Sequence, residues 1–139
     1  MKYLLDTCLI SELVKPTPNK KVIKWLNDIP STALFLSAIT IGEIRKGLTK
    51  LPSSKKKETL MAWLNTLLRN YKERIFSIDL IVAENWGIIQ GNAEKAGMPM
   101  SSIDSLIAAT AHTHNLTLVT RNEDDFVPSQ ISILNPWNL

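Results

Sequence analysis

The chain has 139 residues, of which 45% are apolar, enough for one compact core and too few for two domains of ordinary size. Its one cysteine, Cys8, has nothing to pair with, which excludes an internal disulfide framework and a thiolate zinc site. No apolar run approaches the roughly 20 residues that span a bilayer, and Asp6 spoils the apolar stretch of a secretory leader. The expectation is a cytoplasmic single domain, 1–139, with no membrane contact. The net charge of +3 conceals a division: residues 1–74 carry 14 Lys or Arg against 6 Asp or Glu, and residues 75–139 carry 2 against 7. A basic half fits an anionic partner, and an acidic half fits one only if its carboxylates hold metal.

Residues 2–6 form an apolar run ending on an acid and predict a buried strand. Residues 8–14 space Leu9, Ile10, Leu13 and Val14 as a helix, which Pro16 and Pro18 stop. A second short helix is predicted over 19–28, a strand over 33–37 and a helix over 38–50. Residues 53–73 read as a long amphipathic helix, with Leu60, Trp63, Leu64, Leu67, Leu68 and Tyr71 opposite a solvated Lys55, Lys56 and Lys57. A brief strand follows at 75–78, then a helix over 79–96 closed by Gly97 and Pro99. An Ala-rich helix over 101–114, a strand over 116–120 and a last strand over 131–134 complete the chain. Strands alternating with helices through short loops predict an α/β fold, a central parallel sheet of about four or five short strands with helices on both faces.

Ligands of such sheets gather beyond the carboxyl ends of the strands. Asp6 ends the first strand, Glu43 lies about one turn into the helix after the second, Asp104 is in the first turn of the Ala-rich helix, and Asp124 and Asp125 follow the 116–120 strand. Carboxylates brought together in a cleft repel unless something positive lies between them. Oxygen ligands without His or Cys favour Mg²⁺ or Mn²⁺, ions that keep waters and can activate one against a phosphodiester. Each acid also has a purely structural reading. Ser101–Asp104 matches a capping box, Thr40–Glu43 matches one if its helix starts late, and Asp125 could cap whatever follows Thr120. Asp6 resists that reading, because an acid ending a central strand is buried and an unpaired buried carboxylate is expensive.

These motifs resemble the PIN-domain family. Leu4-Leu5-Asp6-Thr7-Cys8-Leu9-Ile10-Ser11-Glu12-Leu13 is similar to its opening motif. Ser37 to Ile44 with Lys46-Gly47 is similar to the second, Ile103 to Ala111 to the third, and Leu116 to Asn122 with Asp125-Phe126 to the fourth. The ending, Ile133-Leu134-Asn135-Pro136-Trp137, is similar to the branch containing VapC toxins and FitB-type proteins. The resemblance implies a PIN-like fold and an endoribonuclease that is the toxin of a type II toxin–antitoxin pair. It implies Asp6, Glu43, Asp104 and Asp125 as the acids holding Mg²⁺ or Mn²⁺, supported by Thr7, Thr120 and Asn122. It also implies products with 5′-phosphate and 3′-hydroxyl ends and a tRNA or rRNA substrate. The partners implied are a second copy of the chain, with dimers able to pair further, and an antitoxin whose C-terminal segment blocks the site in a groove and which alone contacts DNA. The family usually has Asn where this chain has Cys8, and a thiol is a poor hydrogen-bond partner, so weaker support for Asp6 is expected.

Arg45, Lys46 and Arg121 neighbour the acidic motifs and are the candidate RNA phosphate contacts, which position a substrate without reading its sequence. His112 and His114 are two apart on one helix, point to different faces, and suit its C-terminus better than a metal. Trp25, Trp63, Trp86 and Trp137 lie in apolar patterns and are expected in the core or at an interface. A dinucleotide or nucleoside triphosphate site has no glycine-rich motif to rest on. Two alternatives to the ribonuclease stay open: a non-catalytic PIN-like module that binds nucleic acid or an antitoxin, kept alive by Cys8, and a DNase on the same acids.

Overall fold

The structure, a computed structural model, describes residues 1–139. Its elements are β1 (Tyr3–Leu5), α1 (Thr7–Leu13), α2 (Lys20–Asp28), β2 (Leu34–Ser37), α3 (Ala38–Thr49), α4 (Lys55–Asn70), β3 (Ile75–Phe76), α5 (Leu80–Lys95), α6 (Ser102–Thr113), β4 (Thr117–Val119), α7 (Glu123–Phe126) and β5 (Ile133–Leu134). The five strands are all parallel, in the order β3-β2-β1-β4-β5.

Because side chains alternate along a strand, a strand buried on both faces must be apolar throughout. Leu5, Leu34, Leu36 and Val119 enter one core with Leu9, Ile10, Ile44, Leu48, Leu64 and Leu67 from α1, α3 and α4. Leu4, Phe35 and Leu118 enter the other with Ile107, Ala108 and Ala111 of α6 and Phe126 of α7. Two apolar cores separated by a sheet are the expected three-layer α/β arrangement, with helices on both faces.

The helix ends follow local chemistry. Ser37 ends β2 and also caps α3, its Oγ accepting from Ile39 N at 3.2 Å, so α3 starts without a loop. The late start that would have made Thr40 a cap is therefore incorrect. Asp79 caps α5 through Val82 N (2.9 Å). Gly97, at φ 73°, closes α5 with Met98 N donating to Ala93 O at 2.8 Å, the left-handed exit that glycine permits at least cost.

Two further expectations are corrected. Lys57 is not part of a free solvated face: its Nζ donates to Leu51 O (2.9 Å) and Thr49 O (3.5 Å), neutralising the carbonyl end of α3. Asp125 caps nothing, because it lies inside α7, with its own N–H donating to Asn122 O. His114 follows α6 as expected and stacks on Phe76 with centroids 3.6 Å apart. No helix is long and apolar enough to cross a membrane.

Candidate active site at the carboxyl edge of the sheet

Asp6 directly follows β1, the central strand, and its backbone N–H continues the ladder to Val119 O (3.0 Å). Only 5% of it is exposed. Three donors hold its carboxylate. Thr7 N reaches Oδ1 at 2.8 Å, Thr120 Oγ1 reaches Oδ2 at 2.7 Å, and Cys8 Sγ reaches Oδ2 at 3.5 Å. A carboxylate offers about four lone-pair positions, so about one is left over. Burial pushes the Asp6 carboxyl above the usual aspartate range; the hydrogen bonds from Thr120, Thr7 and Cys8 oppose this, and the charge of Asp104 adds to it.

Glu43 is tied to the first residue of α1. Thr7 Oγ1 donates to Glu43 Oε1 at 2.5 Å and lies 3.4 Å from Thr40 Oγ1, one turn before Glu43 on the same face of α3. Thr40 is fully buried. The sequence points to Thr40 only as a helix cap; its spacing of three from Glu43 instead places it beside that acid in the site.

Asp104 lies in the first turn of α6, whose cap is Ser101 Oγ, accepting Asp104 N at 3.2 Å. The capping reading of Ser101 and a place for Asp104 in the acidic group thus hold together. Partial burial raises the Asp104 carboxyl. Ser101 opposes the shift, and Asp125 and Glu43 both add to it through their charge. Asp104 thus lies within electrostatic reach of Asp6, Glu43 and Asp125. The four acids share one edge, yet no three His, Cys, Asp or Glu side chains gather into a preformed metal cage.

Thr120, fully buried, does two things with one hydroxyl: it donates to Asp6 and accepts Asn122 N at 3.0 Å. Asn122 thus meets the site through its backbone. Cys8 Sγ lies 3.4 Å from Thr120 Oγ1 and accepts Arg121 N at 3.5 Å, so it joins the start of α1 to the exit of β4 through long contacts. Burial and the neighbouring Asp6 charge push its thiol up, which suits a structural thiol and not a nucleophile.

The candidate cations separate. Lys46 lines a 350 Å³ groove with Glu43 and Ile103. Arg121 lines a 310 Å³ groove with Asn122, Glu123, Asp124 and Asp125. Arg45 instead turns its Nη1 to Met61 Sδ of α4, 3.4 Å away. On the other side of Glu43 a second 310 Å³ groove runs between α1, α3 and α4, past Thr7, Leu51, Leu60 and Trp63.

A parallel sheet with acids from three strand exits on one edge defines the class, and the PIN domain model matches residues 3–127: the chain belongs to the PIN-domain family. It is 38% identical to toxin FitB of Neisseria gonorrhoeae over 97% of this chain and 98% of that one. It is 33% identical to VapC ribonuclease Y4jK of Sinorhizobium fredii over 96% of both chains. The solved structure of FitAB bound to an IR36 DNA fragment superposes with a TM-score of 0.93 at 36% identity, covering 99% of this chain and 96% of that one.

Proposed function

We propose that the chain is a Mg²⁺- or Mn²⁺-dependent endoribonuclease and the toxin of a type II toxin–antitoxin pair. The observation that carries this reading is the buried carboxylate of Asp6 at the carboxyl end of β1, held by Thr7 N and Thr120 and joined through the Thr7 hydroxyl to Glu43. The ribonuclease and toxin names of the relatives Y4jK and FitB support it.

The donor set fits a hard divalent cation: all four groups are carboxylates, and Asp6 retains a free lone-pair position. A divalent cation supplies positive charge here and makes water a better nucleophile. The chain's own groups do the rest. Thr7 N and Thr120 Oγ1 fix the plane of Asp6, and Thr7 Oγ1 holds Glu43 toward the same edge. Buried Asp6 and Thr120 keep part of the site dry, which strengthens the field acting on a phosphodiester. Lys46 and Arg121 flank the acids and suit phosphates on either side of the bond that is cut.

The apolar groove past Leu51, Leu60 and Trp63 opens at Thr7 and Glu43 and suits an antitoxin segment that covers the acids. The similar FitAB structure, solved bound to a DNA fragment, supports an assembly with DNA within reach. Leu80, Ile81 and Ile88, each more than 60% exposed on α5, suit a homodimer contact. The expected location is the cytoplasm.

The test is induced expression of wild type, Asp6→Asn and Asp104→Asn, followed by mapping of RNA ends. Growth arrest by wild type alone, with 5′-phosphate and 3′-hydroxyl products, is expected. Product ends carrying a 2′,3′-cyclic phosphate would overturn the mechanism, and equal arrest by all three would remove the acids from it.

A further inference from the structure

The segment after residue 127 lies outside the matched PIN domain, yet it is built onto the loop that leaves β4. Asn135 does this with both ends of one amide. Its Oδ1 accepts Trp137 N at 3.0 Å, which fixes the closing turn Pro136–Asn138, and its Nδ2 donates to Glu123 Oε2 at 2.8 Å. Asn138 Nδ2 reaches the same Glu123 oxygen at 3.4 Å. The half-buried Trp137 ring then lies beneath Arg121, with Cζ 5.2 Å from the ring centroid. Arg121 is fixed from below as well, by its backbone N–H on Cys8 Sγ.

This arrangement leaves the working part of Arg121 free. A cation placed over an aromatic ring is attracted by the ring face without using an N–H donor in a hydrogen bond, so the guanidinium donors stay available to a ligand. The Arg121 guanidinium makes no ion pair or hydrogen bond within the chain, and the residue is exposed in the groove it shares with Asp125. An arginine on a flexible stem must otherwise lose rotamer freedom when it binds a phosphate.

We propose that Trp137, carried by the C-terminal turn and its Asn135 and Asn138 contacts to Glu123, is a positioning residue that presents Arg121 to an RNA phosphate at the mouth of the acidic site. The proposal rests on RNA as the substrate class.

The test is binding of a fluorescein-labelled single-stranded RNA 20-mer to the full chain in EDTA, by anisotropy, between about 50 and 200 mM NaCl. Arg121→Gln weakens binding and flattens the slope of log Kd against log salt by about 0.7, the loss of one phosphate contact to a single strand. Trp137→Leu weakens binding about two- to fivefold, the range of an exposed cation–π contact. Trp137→Phe recovers most of that, and Trp137→Leu adds nothing once Arg121 is Gln. Glu123→Ala, a surface change that frees both amides, follows the same pattern and serves if Trp137→Leu fails to fold. An unchanged slope in Arg121→Gln, wild-type binding by Trp137→Leu and Glu123→Ala, or an equal loss with and without Arg121 would each overturn the proposal. Failure of the ribonuclease reading is separately visible. A chain that binds with this coupling but never cuts RNA keeps the positioning role and loses the enzyme.

Discussion

Replacing Asp6 by Asn exchanges a buried carboxylate for a neutral amide of nearly the same shape. In chelated protein the amide oxygen still accepts Thr7 N, and the amide nitrogen faces Thr120 Oγ1, which can turn its lone pairs toward it. What disappears is a charge that burial and Asp104 both oppose. Relief of this kind at a functional site is worth about 0.5–2 kcal/mol, and at this chain length 1 kcal/mol moves Tm by about 4 °C, so a rise of about 2–8 °C is expected near neutral pH. The sign of the pH dependence follows from the raised carboxyl. The folded protein holds its proton to higher pH than the unfolded chain, so the penalty is full above the folded pKa and vanishes below the unfolded one. The Tm advantage of Asp6→Asn is therefore greatest near neutrality and closes as the pH falls through the folded pKa. Adding about 10 mM Mg²⁺ offsets most or all of this advantage if the ion binds near 1 mM, since wild type then gains about 1.4 kcal/mol. Differential scanning fluorimetry across pH, with EDTA or Mg²⁺, measures all of this. A variant less stable than wild type near neutral pH, or an advantage independent of pH, would refute the argument.

Thr120→Val removes the hydroxyl serving both Asp6 Oδ2 and Asn122 N, and urea unfolding is expected to show a loss of about 1–3 kcal/mol. Leu64→Ala opens a void in the fully buried face of α4 and is expected to cost about 2–5 kcal/mol by the same measurement, with the oligomeric state unchanged. Cys8→Asn replaces long sulfur contacts with an amide able to reach Asp6 and the Arg121 backbone, so cleavage of RNA is expected to quicken. An equal or slower rate would show that the thiol supports Asp6 adequately.

What could be read from the residues was what is local. The 2–6 strand, the α3 and α4 patterns and the Gly97 exit depend on spacing and turn chemistry within one element, and each recurs within a few residues of its expected bounds. Asp6 was legible because an acid that ends an apolar central strand is buried at a cost that only hydrogen-bond donors or a cation offset. The α7 helix was not, since Glu-Asp-Asp-Phe is a single turn whose only core anchor is Phe126. Lys57 was misread because its carbonyl partners, Thr49 and Leu51, lie across a proline-containing break that periodicity does not bridge. Thr120 entered only through family resemblance: its hydroxyl meets Asp6 across a sequence separation of 114. The Trp137–Arg121 contact is likewise between segments whose patterns carry no record of each other.

The strand order has a consequence for how the molecule comes into being. β1 is synthesised first but lies at the centre of the sheet, and one of its two neighbours, β4, is among the last elements made. While the ribosome is still working through α6, β1 can pair only with β2, and Asp6 lacks the Thr120 hydroxyl and the partner strand that bury it. The acidic edge is therefore incomplete in any fragment cut short before β4, because Asp6 then lacks both its second neighbouring strand and the Thr120 hydroxyl.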